Sequence, residues 1–266
     1  MFEALKPVVA LVLVSVGSIL AQSPAPRPAF DAFEVATIKP SAPDDQGGRF
    51  ITMQGGHRFV VKNYPLKRMV GAAYNLTPSA ISGGPAWVDS DRYDILAGTP
   101  GDVRPNLDEQ MAMLRKLLAE RFKLSFHRES KELSLYTLTI AKSGSQLRES
   151  TAAPDEPSQL INRVFPGRIQ LPARNATMAQ FASMMQRSVL DRPVVDKTGL
   201  SGRYDFDLEW TPDETQFGGQ GPPPAPESTA PDLFAAMQRQ LGLRLDAAKG
   251  PVEVLVIDKV ERPSAN

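Results

Sequence analysis

The phrase Arg-Tyr-Asp occurs twice in this chain, at residues 92–94 and 203–205, and the residues around it recur with it. The spacing is 111 residues (203 − 92 = 111), and a related pair of asparagines, Asn63 and Asn175, stands 112 apart (175 − 63 = 112). A chain that repeats a phrase and the order of elements around it at one spacing is predicted to fold as two copies of one module. The first copy reads as a strand at Phe33–Pro40, a strand at His57–Asn63, then a helix. Leu66, Met69, Val70, Ala73 and Tyr74 form that helix's apolar face, with Asn63 as its expected N-cap. The strand "RYDILAG" follows. A second helix begins at Asn106, where Glu109 completes a capping-box pattern, and two strands, "FKLSFHRE" and "LSLYTLTIAK", end the copy around a charged turn at Glu129–Glu132.

The second copy repeats this order. "GRIQLPARN" is a strand, and Met178, Phe181, Ala182 and Met185 form a helical face capped by Asn175. "GRYDFDLEW" is the returning strand, a helix spans Pro231–Leu241, and "LRLDA" and "VEVLVIDKV" form the closing pair. The predicted class is α+β: two tandem β-α-β-α-β-β modules with helices packed on small mixed sheets. The predicted division is a signal peptide at 1–23, a first module with its N-terminal strand at 24–149, a linker at 150–163 and a second module at 164–266. A Pro/Gly-rich loop at 212–231, read as disordered, lies inside the second module.

Composition narrows the function. Lys plus Arg equals Asp plus Glu at 30 each, which argues against nucleic acid and against electrostatic docking on anionic lipid. Lys6, the apolar run Val8–Ala21 and the small-x-small site Ala21-Gln22-Ser23 predict a cleaved secretory signal, the alternative being an N-terminal membrane anchor. The expected location is therefore periplasmic or extracellular, with no stable membrane span after cleavage. The chain has no cysteine, so neither disulfides nor thiol catalysis can operate.

The closing segment of the first copy, with Leu114, Leu117, Leu118, Leu124 and Tyr136, resembles the secretin and TonB short N-terminal domain. Met237, Leu241, Leu243 and Val254 match it more loosely in the second copy. That resemblance implies small α+β envelope modules that bind other proteins. The motifs "FEVATIKP", "GGPAWVDSDRYDI" and "RPVVDKTGLSGRYDFDLEW" are also similar to a large family of secreted acidobacterial proteins of unknown function, some of which carry a membrane peptidase-like sensor domain.

No reaction is legible. The two histidines, His57 and His127, stand in no metal-ligand pattern, and no Gly-x-Ser-x-Gly or Ser-x-x-Lys site is present. Asp205, Asp207 and Glu209 alternate along one strand; they could hold Ca²⁺, but they read as a solvated face opposite Tyr204, Phe206, Leu208 and Trp210. No catalytic, cofactor-binding or metal-binding residue is assigned, and no cofactor is expected. The structural or interaction candidates are Trp87, Arg92, Tyr93, Asp94, Asp196, Gly199, Gly202, Arg203, Tyr204, Asp205 and Trp210. Trp87 follows a tight turn and caps a core or anchors a partner. Gly199 and Gly202 permit positive φ, and Asp196 can bond back to nearby backbone N–H groups. The leading expectation is a non-catalytic envelope module with a protein partner. The alternatives are a secreted hydrolase or peptidase accessory using His57 or His127, and a small-ligand binder with an inter-module groove lined by Trp87 and Tyr93.

Overall fold

A computed structural model describes residues 27–42, 48–153, 156–219, 221–222 and 229–264. The predicted signal peptide lies outside the described residues. The class is α+β, with three sheets.

The first sheet has the antiparallel order β1 (Val35–Pro40), β5 (Arg92–Gly98), β3 (Arg58–Pro65), β2 (Phe50–Gln54). Alternation places Ile38, Ile95 and Val61 on its buried face, against α1 (Leu66–Tyr74) and α3 (Leu107–Arg121). The N-terminus of α3 carries the expected capping box, with the Asn106 side chain accepting from the Glu109 N–H at 3.0 Å.

The second sheet is built alike, in the order β7 (Arg148–Glu149), β12 (Tyr204–Trp210), β10 (Arg168–Ala176), β8 (Gln159–Leu160), with β9 (Arg163–Phe165) also on β10. It buries Ile169, Leu171, Phe206 and Trp210 against α4 (Met178–Met184) and α5 (Leu233–Ala236). Each of these helices continues into a π turn, Met185–Val189 and Met237–Leu241. Residues expected to be linker therefore belong to this sheet: Gln159–Leu160 pairs with β10.

The closing strands depart from expectation. Instead of two local hairpins, each half ends in one long strand, β6 (Ser125–Ile140) and β13 (Leu243–Lys259), and the two pair antiparallel along their length. The start of β6 and the end of β13 complete the first core through Phe126, Leu255 and Ile257. The end of β6 and the start of β13 complete the second through Leu138, Leu243 and Leu245. Phe126 opposes Ile257 as Leu138 opposes Leu245, and Glu132 opposes Pro251 between them. Short parallel strands β4 (Ile81–Gly83) and β11 (Val194–Asp196) finish the sheet, in the order β11-β6-β13-β4. The physical reason is that Glu129–Glu132 holds no glycine, asparagine or proline to turn the chain, so the strand runs on.

Two smaller corrections follow from local geometry. Asn63 and Asn175 are not helix caps; both take left-handed conformations, φ 55° and 51°, where the β3–β5 and β10–β12 registers shift. The N-cap of α4 is Thr177, which makes a capping box with Gln180. The start of the loop read as disordered is also anchored: Gln216 is buried and accepts the Trp210 indole N–H at 2.8 Å, because a buried indole needs an acceptor.

Candidate functional site

Each Arg-Tyr-Asp triplet locks a strand bulge. Asp94 Oδ1 accepts the Asn63 N–H at 2.9 Å and the Ser41 hydroxyl at 2.6 Å, while Lys62 Nζ lies 2.5 Å from Oδ2. Asp205 Oδ1 accepts the Asn175 N–H at 2.8 Å. The backbone N–H groups of Ser41 and Ser150 bond to the carbonyls of Arg92 and Arg203 at 2.9 and 2.8 Å. Arg92 donates to Asn63 Oδ1 at 3.4 Å, and Arg203 donates to the Asn175 carbonyl at 3.1 Å. Tyr93 is buried edge-on to Phe122, with ring centroids 5.2 Å apart, and Tyr204 is buried in the second core. Burial pushes the Asp94 carboxyl up, but Lys62, Ser41 and the Asn63 N–H outweigh it and hold it below the usual carboxylate value. Asp205 is held low mainly by the Asn175 N–H.

The remaining candidates make contacts within the fold. Asp196 Oδ1 accepts from the Thr198 N–H at 2.9 Å and its hydroxyl at 2.8 Å, the local turn expected of it. Gly199 has φ 69°, as anticipated. Gly202 does not use positive φ: a Cβ there would stand 2.8 Å from the Tyr204 hydroxyl, so close approach demands the glycine. Trp210 is fully buried, and Trp87 is half-buried under Arg262, whose guanidinium carbon lies 4.9 Å from the ring centroid. Asp207 and Glu209 are occupied across the sheet by Arg174 and Gln170. Among the described residues, no group of three His, Cys, Asp or Glu side chains is placed to hold a metal ion.

A cleft of about 600 Å³ opens between the halves, and its lining includes neither Trp87 nor Tyr93. The first half contributes Arg49, Arg68 of α1, Leu76, and Leu107 and Met111 of α3. The second contributes Arg187 of the π turn, Leu190, Phe217 and Gly218. Asn75, the left-handed C-cap of α1, latches the two walls: its side chain accepts the Ser183 hydroxyl at 2.9 Å and its carbonyl the Gln186 amide at 2.6 Å. Phe217 stacks on Trp210 (centroids 6.5 Å apart, planes 6° apart) while holding φ 55°. Left-handed backbone at an aromatic residue is costly and concentrates at functional surfaces. Here it carries Gly218 to Arg68, whose Nη1 would stand 3.6 Å from a Cβ at that position.

The three arginines are half-buried, and none forms an ion pair among the described residues. Arg49 has its proton affinity lowered by burial and then by Arg68; Arg187 has it lowered by burial, with Asp108 opposing. Among the described residues one acid, Asp191, lines the cleft, and it is paired with Arg192 at 3.2 Å. Neither histidine lines it. His57 is in an exposed turn, and His127 bridges Asp258 at 2.7 Å and Glu129 at 3.0 Å.

Sequence reasoning singled out none of these three arginines, because they come from separated elements and share no motif. A family model described as a protein of unknown function, DUF3738, matches residues 67–260. The chain belongs to the DUF3738 family. The DUF3738 match starts at Lys67 on α1, so it spans Arg68, Arg187 and both Arg-Tyr-Asp triplets, while Arg49 and the first three strands precede it. Neither the curated proteins nor the solved structures contain a match to this chain. The family description names no activity, and the cleft is the feature of this chain shaped to hold a ligand.

Proposed function

We propose that this protein is an exported envelope protein that holds a small ligand between its two halves, working by binding as an accessory or signalling module. One observation carries the reading: a 600 Å³ cleft whose walls come from both halves, joined by Asn75. That volume suits a drug-sized ligand, and clefts at the junction of two structural units are common binding sites. The N-terminal apolar run and small-x-small site support export. The recurring Ser, Asn and Arg-Tyr-Asp bonds support an origin by internal duplication. The likeness to secretin and TonB modules supports a place in a bacterial envelope. The test is native mass spectrometry of protein purified gently from envelope fractions. A bound small mass is expected in wild type and should be lost in Ala72→Phe, which fills the cleft wall; protein that is always empty would refute the reading.

A second reading, a docking module for a protein partner, is favoured by apolar side chains on the surface. Val35 and Leu96 on the first sheet are 71% and 48% exposed, and Ile161 and Val164 near β9 are 63% and 60% exposed. In-cell crosslinking would settle between them: one stoichiometric protein partner, lost on Leu96→Asp, supports docking.

A further inference from the structure

We infer that the ligand of this cleft is an amphipathic anion, an oxyanion head carried on an apolar body, with Arg49, Arg68 and Arg187 receiving the head. The inference rests on the ligand-binding reading above and names the chemistry of that site. Three guanidiniums face one cleft with no ion-pair partner among the described residues: Asp108 acts on Arg187 only at a distance, and Asp191, the carboxylate among the described lining residues, already has its own arginine. Arg187 donates to the Ser183 carbonyl at 3.2 Å and Arg49 lies over the Tyr64 ring at 5.7 Å, but neither contact neutralises the charge; arginine does not escape burial by losing its proton, so these half-buried guanidiniums hold a standing cost that an anion removes. The planar fork also matches the geometry of carboxylate and phosphate oxygens. Arg49 and Arg187 come from different halves and Arg68 reaches the Gly218 loop, so one head bound by all three would join both walls.

The apolar part of the inference comes from the rest of the lining. Leu76, Leu107, Met111 and Leu190 offer aliphatic surface beside the arginines, drawn again from both halves. A free inorganic anion would leave that surface wet, whereas an alkyl chain would cover it. The whole-chain charge is balanced at 30 against 30, so the local cationic excess is a property of placement.

The test is titration calorimetry on the mature full chain, with decyl phosphate, decanoate, decanol and inorganic phosphate as probes at low and moderate salt. Decyl phosphate or decanoate is expected to bind at least about tenfold tighter than decanol, and more weakly as salt rises. Each of Arg68→Gln and Arg187→Gln should weaken the anionic probes by about tenfold or more while leaving decanol unchanged. A second readout separates a ligand role from a structural one. Arg68→Gln removes a charge that Arg49 feels, so the melting temperature without ligand should stay level or rise. If the variant lowers both affinity and melting temperature, Arg68 is structural and the inference falls. If decanol binds as tightly as decyl phosphate and Ala72→Phe abolishes both, the ligand reading survives and the anion assignment is overturned. If inorganic phosphate binds as tightly as decyl phosphate, the apolar body is overturned. If neither anionic amphiphile binds, the inference fails, while native mass spectrometry still judges the broader reading.

Discussion

Removing the Asp94 carboxylate should unlock the first bulge at a cost that can be worked from its bonds. Asp94→Ala deletes the acceptor for the Asn63 N–H, a group on a residue only 6% exposed. An unsatisfied buried N–H costs about 2 kcal/mol, and losing the bonds from Ser41 and Lys62 adds about 1 kcal/mol more. The sum, about 3 kcal/mol, lowers the melting temperature of a chain this size by about 6–12 °C. Asp94→Asn keeps one oxygen for the N–H and should lose about half as much. Because the folded carboxyl titrates below its ordinary value, wild type's advantage over Asp94→Asn is full above the unfolded pKa of about 4. It should fade as pH falls through the lower folded value. Differential scanning calorimetry at neutral pH and at low pH reads both effects. Asp207→Ala is the control, since that carboxylate is exposed and, among the described residues, pairs only with the neighbouring Arg174. If Asp94→Ala melts within about 2 °C of Asp207→Ala, the bulge lock is not a stability element and the reasoning fails.

A chain cut after Pro251 loses Leu255 and Ile257 from the first core, about 2 kcal/mol each, so hydrogen exchange should show Ile81–Gly83 unprotected; retained protection there would contradict the exchange of strands. Gly202→Ala should cost about 1–3 kcal/mol in urea melts because its Cβ meets the Tyr204 ring, whereas Gly199→Asn, in open left-handed space, should stay within about 0.5 kcal/mol; equal costs would remove the close-approach argument. His127 should titrate above its ordinary value of about 6.5, raised first by Glu129 and then by Asp258, and its small favourable contribution should be present below that value and fade as pH rises through the folded pKa. NMR titration in low and high salt checks this, since exposure makes the shift salt-sensitive and a midpoint at or below about 6.5 would contradict it.

Local chemistry was legible wherever it was written in adjacent residues. The strand at Arg92–Gly98, the capping box at Asn106 and Glu109, and the two-faced strand at Tyr204–Trp210 could all be read from pattern. The recurring triplet pointed to a recurring bond, but the part played by Asn63 and Asn175 was misread, since an asparagine before a helix serves equally as cap or as left-handed bulge. The exchanged strands were hidden for another reason. An apolar segment, a polar break and a second apolar segment look the same whether the partner is the next residue or a strand far along the chain. The clue was the missing turn residue at Glu129–Glu132, and Gly250-Pro251 in the other strand obscured it. The arginine cleft left no trace, because equal totals of charge say nothing about where the charges meet.

The exchange of β6 and β13 also sets an order in time. The first core is lined from Ile38 onward, yet its slot beside β4 is filled only by Leu255 and Ile257. From Leu124 to Ile257 is 133 residues (257 − 124 = 133), about ten seconds of synthesis. Through that interval the newborn first half presents an open, strand-shaped apolar gap. The gap fits the β13 of a neighbouring chain as it fits its own, so refolding at high concentration is expected to give dimers that trade this strand and refolding at high dilution monomers, which size-exclusion chromatography would separate.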